Sequence, residues 1–405
     1  MADLVMALNA GSSSVKFSVC RVGAGARAQV IGPVETVLAG QVERIGVAPH
    51  LSLHDGARTL LAERAWEQAD VPFAVLLREI FASVDHALGG QAVTALGHRV
   101  VHGGPDHAAP QRVTPDLIAA LDALTPLAPL HMPHNLAPMR AVADLWPDLP
   151  QVACFDTAFH HDLPPCARRF ALPRQYEADG VRRYGFHGLS YDYVARYLRH
   201  ALPHLAGGRV VVAHLGNGAS LCALSDGRSM DTTMGFSPLD GLVMGTRCGA
   251  LDPAVVLYLQ EHYRLGPEEV RTLLYRQSGL LALSGGLSSD MHVLLGSSSP
   301  LAVQAVEQFI YRLAQDAAAM VSALGGVDGF VFTAGIGEHE PFVRARLAHS
   351  LSWLGMRIDE DANRRNDGCI STADSAMAVH VLPTDEDAMI VLHTTELLSG
   401  TSWQA

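Results

Sequence analysis

Apolar runs mark strands at Leu4 to Leu8, Val15 to Val22, Ala95 to Val101, Val152 to Phe155, Val210 to Leu215, Val327 to Phe332 and Val379 to Leu382. Between them the period lengthens. Phe73, Leu76, Leu77, Ile80, Val84 and Leu88 recur at helical spacing, and Ser190 to Leu202, Leu301 to Leu324 and Thr384 to Leu398 also read as helices. Thr114-Pro115-Asp116 and Asp252-Pro253 each supply a capping side chain followed by Pro at the first helical position, which predicts two more helix starts. Strands interleaved with helices predict an α/β protein whose sites lie in the loops at strand ends.

The pattern also repeats. LVMALNAGSSSVKFSVC (4–20) and VVVAHLGNGASLCAL (210–224) share an order of apolar strand, Asn/Gly/Ser turn and second apolar strand. Each reads as a hairpin whose small-residue turn exposes backbone N–H groups, and two of them half a chain apart predict two similarly built halves. The Pro-rich stretch Trp146-Pro147-Asp148-Leu149-Pro150 reads as a boundary between halves.

The 405 residues suffice for two or three domains, and 49% hydrophobic against 17% charged residues excludes a disordered chain. No stretch is long and apolar enough to span a bilayer. Met1-Ala2-Asp3 opens no signal peptide, so a cytoplasmic protein is expected. A net charge of −12 repels nucleic acid and anionic membranes, so neither is expected as a partner. Cys20, Cys154, Cys166, Cys222, Cys248 and Cys369 are dispersed with no C-x-x-C pair and read as reduced, small core residues. The basic residues are 28 Arg and a single Lys, Lys16, which falls in a Ser-rich turn, where a compact ammonium suits a narrow phosphate site.

Glycine-rich turns recur at NAGSSSVK (9–16), HLGNGAS (214–220), GLLALSGGLSSDM (279–291) and FTAGIGEHE (332–340). Glycine admits a phosphate close to the backbone, and successive N–H groups and Ser hydroxyls donate to its oxygens. Neither a P-loop nor a G-x-G-x-x-G fingerprint follows the first strand. A second group is cationic and imidazole-rich: GHRVVHGG (97–104), PLHMPHN (129–135), CFDTAFHH (154–161), RRYGFHGLS (182–190) and GTRCGALDP (245–253). In-line phosphoryl transfer needs fixed positive charge and a divalent metal around the moving group, and Arg99, Arg247 and His187, each beside Gly at a turn, have that chemistry. His131 and His134 form an H-x-x-H, but Pro133 between them argues for a loop rather than a metal-binding helix.

These stretches, in order and across essentially the whole chain, resemble the acetate kinase family: LNAGSSSVKF, GHRVVHGG, FDTAFH, YGFHGLS, HLGNGAS, MDTTMGFSPLDGLVMGTR, TAGIGEHE and PTDEDAMI. The resemblance implies two similar domains of the duplicated ribonuclease H-like (actin-like ATPase) fold with a nucleotide cleft. The first would be residues 1–156, completed by a C-terminal helix at about 388–405, and the second residues 157–387. It implies reversible Mg2+-dependent transfer of the γ-phosphoryl of ATP to acetate, giving acetyl phosphate and ADP, with Mn2+ an alternative metal and a homodimer expected.

Residue by residue, Asn9 and Glu386 resemble the metal pair, and Ser12, Ser14 and Lys16 the first phosphate hairpin. Arg99 is similar to the carboxylate-binding arginine. Asp156 matches an active-site aspartate that would orient Arg99 or the metal, since acetate is already ionised at neutral pH. His187 and Arg247 resemble the pair that stabilises the transferring group. His214, Leu215, Gly216, Asn217 and Gly218 resemble the β/γ-phosphate loop, and Asp290, Met291 and His292 with Gly335, Ile336, Gly337, Glu338 and His339 the adenosine and α-phosphate side. Val101, Leu130, Phe186 and Pro238 match the lining of a small apolar acetate pocket.

The chain departs from the family's pattern at His292, where Arg is usual, at Cys248 and Ala250, where Ser and Asp are usual, and at Asp385, where Asn is common. Propionate or butyrate as acceptor is the nearest competing expectation, because one methylene discriminates by only about 1–3 kcal/mol. A nucleotide-driven switch of the chaperone or actin kind is more remote, since it needs no carboxylate-binding arginine.

Overall fold

The computed structural model of the chain describes residues 3–23 and 34–400, so Met1, Ala2 and positions 401–405 of the expected C-terminal helix lie outside the described residues. The chain divides into two compact units, one comprising Met1–His161, Gly188–His200 and Asp385–Ala405, the other Asp162–His187 and Ala201–Thr384.

The strands of the first unit are β1 (Asp3–Ala10), β2 (Val15–Val22), β3 (Val34–Glu43), β4 (His50–Asp55), β5 (Leu60–Ala65), β6 (Ala95–Val100), β7 (Gln111–Arg112) and β8 (Gln151–Phe155). Those of the second are β9 (Arg209–Leu215), β10 (Ala219–Ser225), β11 (Arg228–Thr232), β12 (Gly329–Thr333) and β13 (Ala378–Val381). The helices that bear on function are α1 (Phe73–Leu88), α2 (Pro115–Ala123), α3 (Met132–Leu145), α4 (Gly188–Ala201), α5 (Pro253–His262), α6 (Pro300–Leu324), α7 (Ala334–His339) and α8 (Glu386–Ser399).

One topology appears twice. The first sheet runs β5-β4-β3-β2-β1-β6-β8-β7 and the second β11-β10-β9-β12-β13. In the first, β3, β2 and β1 are antiparallel and β1, β6 and β8 parallel; in the second, β11, β10 and β9 are antiparallel and β9, β12 and β13 parallel. The two sequence hairpins are thus β1–β2 and β9–β10, each the root of the same five-strand order: the duplicated actin-like ATPase fold.

The alternation in β1 explains why nearly every residue is apolar. Leu4, Met6 and Leu8 join Leu76, Leu77, Ile80 and Val84 of α1 in one core, while Val5 and Ala7 join Met389, Ile390 and Val391 of α8 in another. A sheet buried on both faces has no polar side to show. α8 approaches β6 closely because residue 97 is glycine; a side chain there would collide with Ile390 and Thr394.

Several expectations are corrected. Strands β3, β4, β5, β7 and β11 are not marked in the sequence reading; β5 is exposed along almost its whole length, and its LLAERA sequence does not alternate between apolar and polar. Pro133 does not hold residues 131–134 in a loop. It sits in the first turn of α3, where no intrahelical donor is needed, and so starts the helix instead of breaking it. Trp146–Pro150 links α3 to β8 within the first unit rather than marking a boundary. Of the cysteines, Cys20, Cys154 and Cys222 are core residues, but Cys248 is half-buried and Cys166 and Cys369 are exposed; all six are free thiols.

Candidate active site

In the first unit, the parallel strands β1, β6 and β8 bring their carboxyl ends together, the usual place for a site in such a sheet. Asn9 lies near the end of β1, Arg99 on β6, and Asp156 one residue past β8. Arg99 Nε donates to both oxygens of Asp156 at 3.1 Å and Nη2 to Oδ2 at 2.8 Å. Its Nη1 is 3.0 Å from Oε2 of Glu386, the first residue of α8. The Asp156 side chain is only 2% exposed. Burial pushes its carboxyl up to about 6 against the pull of Arg99, and the two carboxylates hold the guanidinium charged despite its desolvation.

Asp385, one of the departures noted above, is the N-cap of α8: its Oδ1 accepts from Ala388 N at 2.8 Å. That cap sets where the helix begins and hence where Glu386 stands. Asn135, quoted in a motif but passed over there for its histidines, ties two strand ends together. It accepts from Val101 N at 2.9 Å and donates to Ala10 O at 2.8 Å. Val101 and Leu130 are half-buried. The β1–β2 turn is closed by Gly11 N donating to Ser14 O at 2.8 Å, with Ser12 exposed. Lys16 is exposed and lies not in the turn but on β2, paired with Asn9.

In the second unit, His187 sits at φ 60°, a left-handed conformation that costs a non-glycine residue about 1 kcal/mol or more and is kept at functional sites. Its Nδ1 is 2.8 Å from Ser220 Oγ, and its ring stacks on His214 at 4.1 Å between centroids. Both imidazoles are buried. A methyl group on Gly218 would lie 2.8 Å from Arg247 Nη2 and 3.3 Å from His187 Nε2, so glycine at the β9–β10 turn is what lets backbone, guanidinium and imidazole meet. Arg247 Nη1 donates to Pro238 O at 2.6 Å. Cys248 Sγ donates to the Gly249 carbonyl at 3.2 Å and Ala250 N to Gly241 O at 2.8 Å, so backbone contacts shape this loop. Phe186 and Pro238 are buried.

A cavity of about 460 Å³ opens beside this cluster, lined by Gly216, Asn217, Asp290, Met291, His292, Gly335, Ile336 and His339 together with Ser289 and Glu340. The last two were not singled out, although each lies within a quoted motif. His214, Leu215, Gly218, Gly337 and Glu338 do not line it. Glu338 instead accepts from Ala334 N at 2.8 Å and Thr384 N at 3.3 Å, bracing the start of α7. His292 is 87% exposed, its Nδ1 3.0 Å from Glu340 Oε1. Asp290 caps the short helix Met291–Leu295 through His292 N at 2.8 Å and Val293 N at 3.2 Å.

The family model for the acetokinase family matches residues 4–392. An acetate kinase of Methylocella silvestris is 47% identical, with 98% of each chain covered. Among solved structures, a propionate kinase from Francisella tularensis superposes with a TM-score of 0.87 at 32% identity, covering 97% of this chain and 99% of that one. An acetate kinase of Porphyromonas gingivalis gives 0.85 at 33%, covering 98% and 100%.

Proposed function

We propose a division of labour among these side chains from one premise: the chain belongs to the acetokinase family. It is a kinase that transfers phosphate to the carboxylate of acetate, with ATP and ADP as the nucleotide pair and a metal ion required. In our reading, Arg99 binds the acetate carboxylate. Asp156 and Glu386 occupy three of the five guanidinium N–H groups and fix the plane of the fork, and the two remaining N–H groups serve a substrate carboxylate. Acetate is ionised at neutral pH, so no general base is required, and Asp156 works by orienting Arg99.

His187 and Arg247 bear on the phosphoryl group in transfer. His187 Nδ1 pairs with the Ser220 hydroxyl at 2.8 Å, and in our reading the ring donates from Nε2, beside the Arg247 guanidinium at Gly218. The observation that carries this reading is the meeting of those two side chains at Gly218, directly after Gly216 and Asn217 in the same turn, which line the cavity assigned to the nucleotide. Fixed donors of this kind stabilise charge spread over equatorial oxygens. Ser12, Ser14 and Lys16 are read as phosphate contacts, and Val101, Leu130, Phe186 and Pro238 as the acetate lining.

Asn9 and Glu386 present hard oxygens suited to Mg2+, with Mn2+ as a substitute. No cluster of three or more His, Cys, Asp or Glu able to hold a metal occurs among the described residues, and Mg2+ carried on phosphates with one carboxylate and several waters needs none. When bound, the ion would neutralise phosphate charge.

The test is hydroxamate formation from Mg-ATP and hydroxylamine with acetate, propionate and butyrate in turn. Acetate is expected to give the highest kcat/KM, by about tenfold or more over propionate. A higher value for propionate would move the reading to the longer acid, and ATP hydrolysis indifferent to any acid would favour a nucleotide switch.

A homodimer built on α5 completes the proposal. No residue of α5 is buried, and Leu251, Val255, Leu257, Tyr258 and Tyr263 are exposed on or beside it, an apolar patch of the kind that marks an interface. Leu257→Glu with Tyr258→Glu should halve the mass seen by light scattering, and an unchanged mass would place the interface elsewhere. Among the described residues no helix is long and apolar enough to cross a membrane, and six free thiols suit the cytoplasmic location we infer.

A further inference from the structure

Two helices start at the Arg99 cluster and are pinned to each other well beyond it. α4 begins at Gly188, whose amide donates to the Asp156 carbonyl at 2.8 Å; a side chain at 188 would run into that same carbonyl. α8 begins at Glu386, whose carboxylate holds Arg99. Further along both helices lies a quartet of polar side chains that none of the roles above uses. Arg196 Nε donates to Asp192 Oδ1 at 3.1 Å, and its Nη1 and Nη2 reach the two oxygens of Glu396 at 2.7 and 3.2 Å. His393 Nε2 is 2.8 Å from Asp192 Oδ2; a carboxylate only accepts, so the imidazole donates, and its buried Nδ1 has no partner among the described residues. The Arg196 side chain is 3% exposed.

Burying such a group is costly unless geometry requires it. Adhesion of α8 does not require it. Ala388, Met389, Ile390, Val391 and Leu392 are all buried, and five consecutive residues at 100° apart cover every side of a helix. A helix that is apolar all round has no polar face to mark its rotation about its axis. Where α8 comes closest to β6, Ile390 and Thr394 seat against Gly97 and constrain the helix at that level. The quartet adds a second, polar constraint further along the same helix. His393 follows Glu386 by seven residues, two turns on nearly the same face and about 10 Å along the axis, so the rotation set at His393 and Glu396 is the direction in which Glu386 points. A turn of roughly 10° at the rim of a helix about 10 Å across moves a carboxylate by about 1 Å.

We infer that Asp192, Arg196, His393 and Glu396 are positioning residues that aim Glu386 at the metal ion. The inference rests on the assignment of Glu386 to that ion. Loss of a group hydrogen-bonded directly to a metal ligand lowers metal affinity by about 10- to 100-fold; the quartet acts on Glu386 through the helix, so its effect should lie at the lower end of that range.

Glu396→Gln keeps the size of the side chain and removes its charge. The Mg2+ concentration for half-maximal rate should rise about tenfold, while kcat at saturating Mg2+ stays within about twofold of wild type. Mn2+ titrated into the protein with ADP and followed by electron paramagnetic resonance, with no turnover, should show the same loss of affinity, and Glu396→Asp should restore part of it. A merely structural role would lower the melting temperature and leave Mn2+ affinity alone. Mn2+ affinity within twofold of wild type in folded Glu396→Gln overturns the inference. If that variant does not fold, Arg196→Lys, which keeps the charge and loses the fork, takes its place, and a shift below about threefold overturns it. Glu386→Gln run alongside separates the two claims: unchanged Mn2+ affinity there overturns the Glu386 assignment itself.

Discussion

Replacing Arg247 by alanine should lower kcat by about 10³-fold and leave the KM for acetate within a few-fold of wild type. The guanidinium stands with His187 around the backbone of Gly218 in a largely buried loop, where a fixed charge acts on a phosphoryl group far more strongly than it would in water. In the proposed role its effect would be greatest when negative charge is spread over three oxygens in flight, so the loss should fall on kcat. Arg247→Lys should recover only part, because an ammonium cannot both hold the Pro238 carbonyl and present the planar fork that the proposed role needs. The pair of substitutions is read by steady-state kinetics in both directions. A fall in kcat of less than tenfold for the alanine variant would remove Arg247 from the phosphoryl site.

Arg99→Ala should act on the other substrate, raising the KM for acetate by about 10²-fold or more. Removing the guanidinium also leaves Asp156 buried with no counter-charge and Glu386 nearby, and breaking a buried pair in this way costs about 3–5 kcal/mol, so the melting temperature should fall as well. Arg99→Lys tests the two effects apart. It restores a positive charge between the carboxylates, so stability should largely return. It cannot reproduce three bonds to Asp156 and Glu386 while keeping two parallel donors for a substrate, so the KM should remain high. Equal recovery of stability and KM by lysine would show that Arg99 serves the fold and not acetate.

Both predictions rest on residues that the sequence offered as candidates and on distances that it did not contain. GHRVVHGG and FDTAFH mark Arg99 and Asp156 as unusual, yet the two are 57 positions apart in the chain. They meet because β6 and β8 are parallel neighbours, so the ends of two separate apolar runs arrive side by side. Pro133 shows the opposite limit. Read locally it breaks a helix, whereas in the structure it opens α3, because the chain enters the helix at Met132 and the missing N–H falls in the first turn. Strands β3 and β5 were illegible for a related reason, since strands that cover only part of a core show only part of the alternation, whereas β4 (HLSLHD) does alternate, burying Leu51 and Leu53, but over only six residues.

What the chain's own order of residues determined was therefore everything whose cause lies within a few turns of backbone. The two hairpins, the α1 stripe and the Thr114 and Asp252 caps follow from side-chain period and short-range sterics, and the succession of family motifs was legible as a resemblance. Only the folded protein decided which carboxylates grip Arg99, that Gly218 lies against both His187 and Arg247, and that His393 reaches Asp192 across 201 positions. Those contacts depend on strand order and helix rotation, which are set when the whole core is buried at once, and no local pattern of residues encodes them.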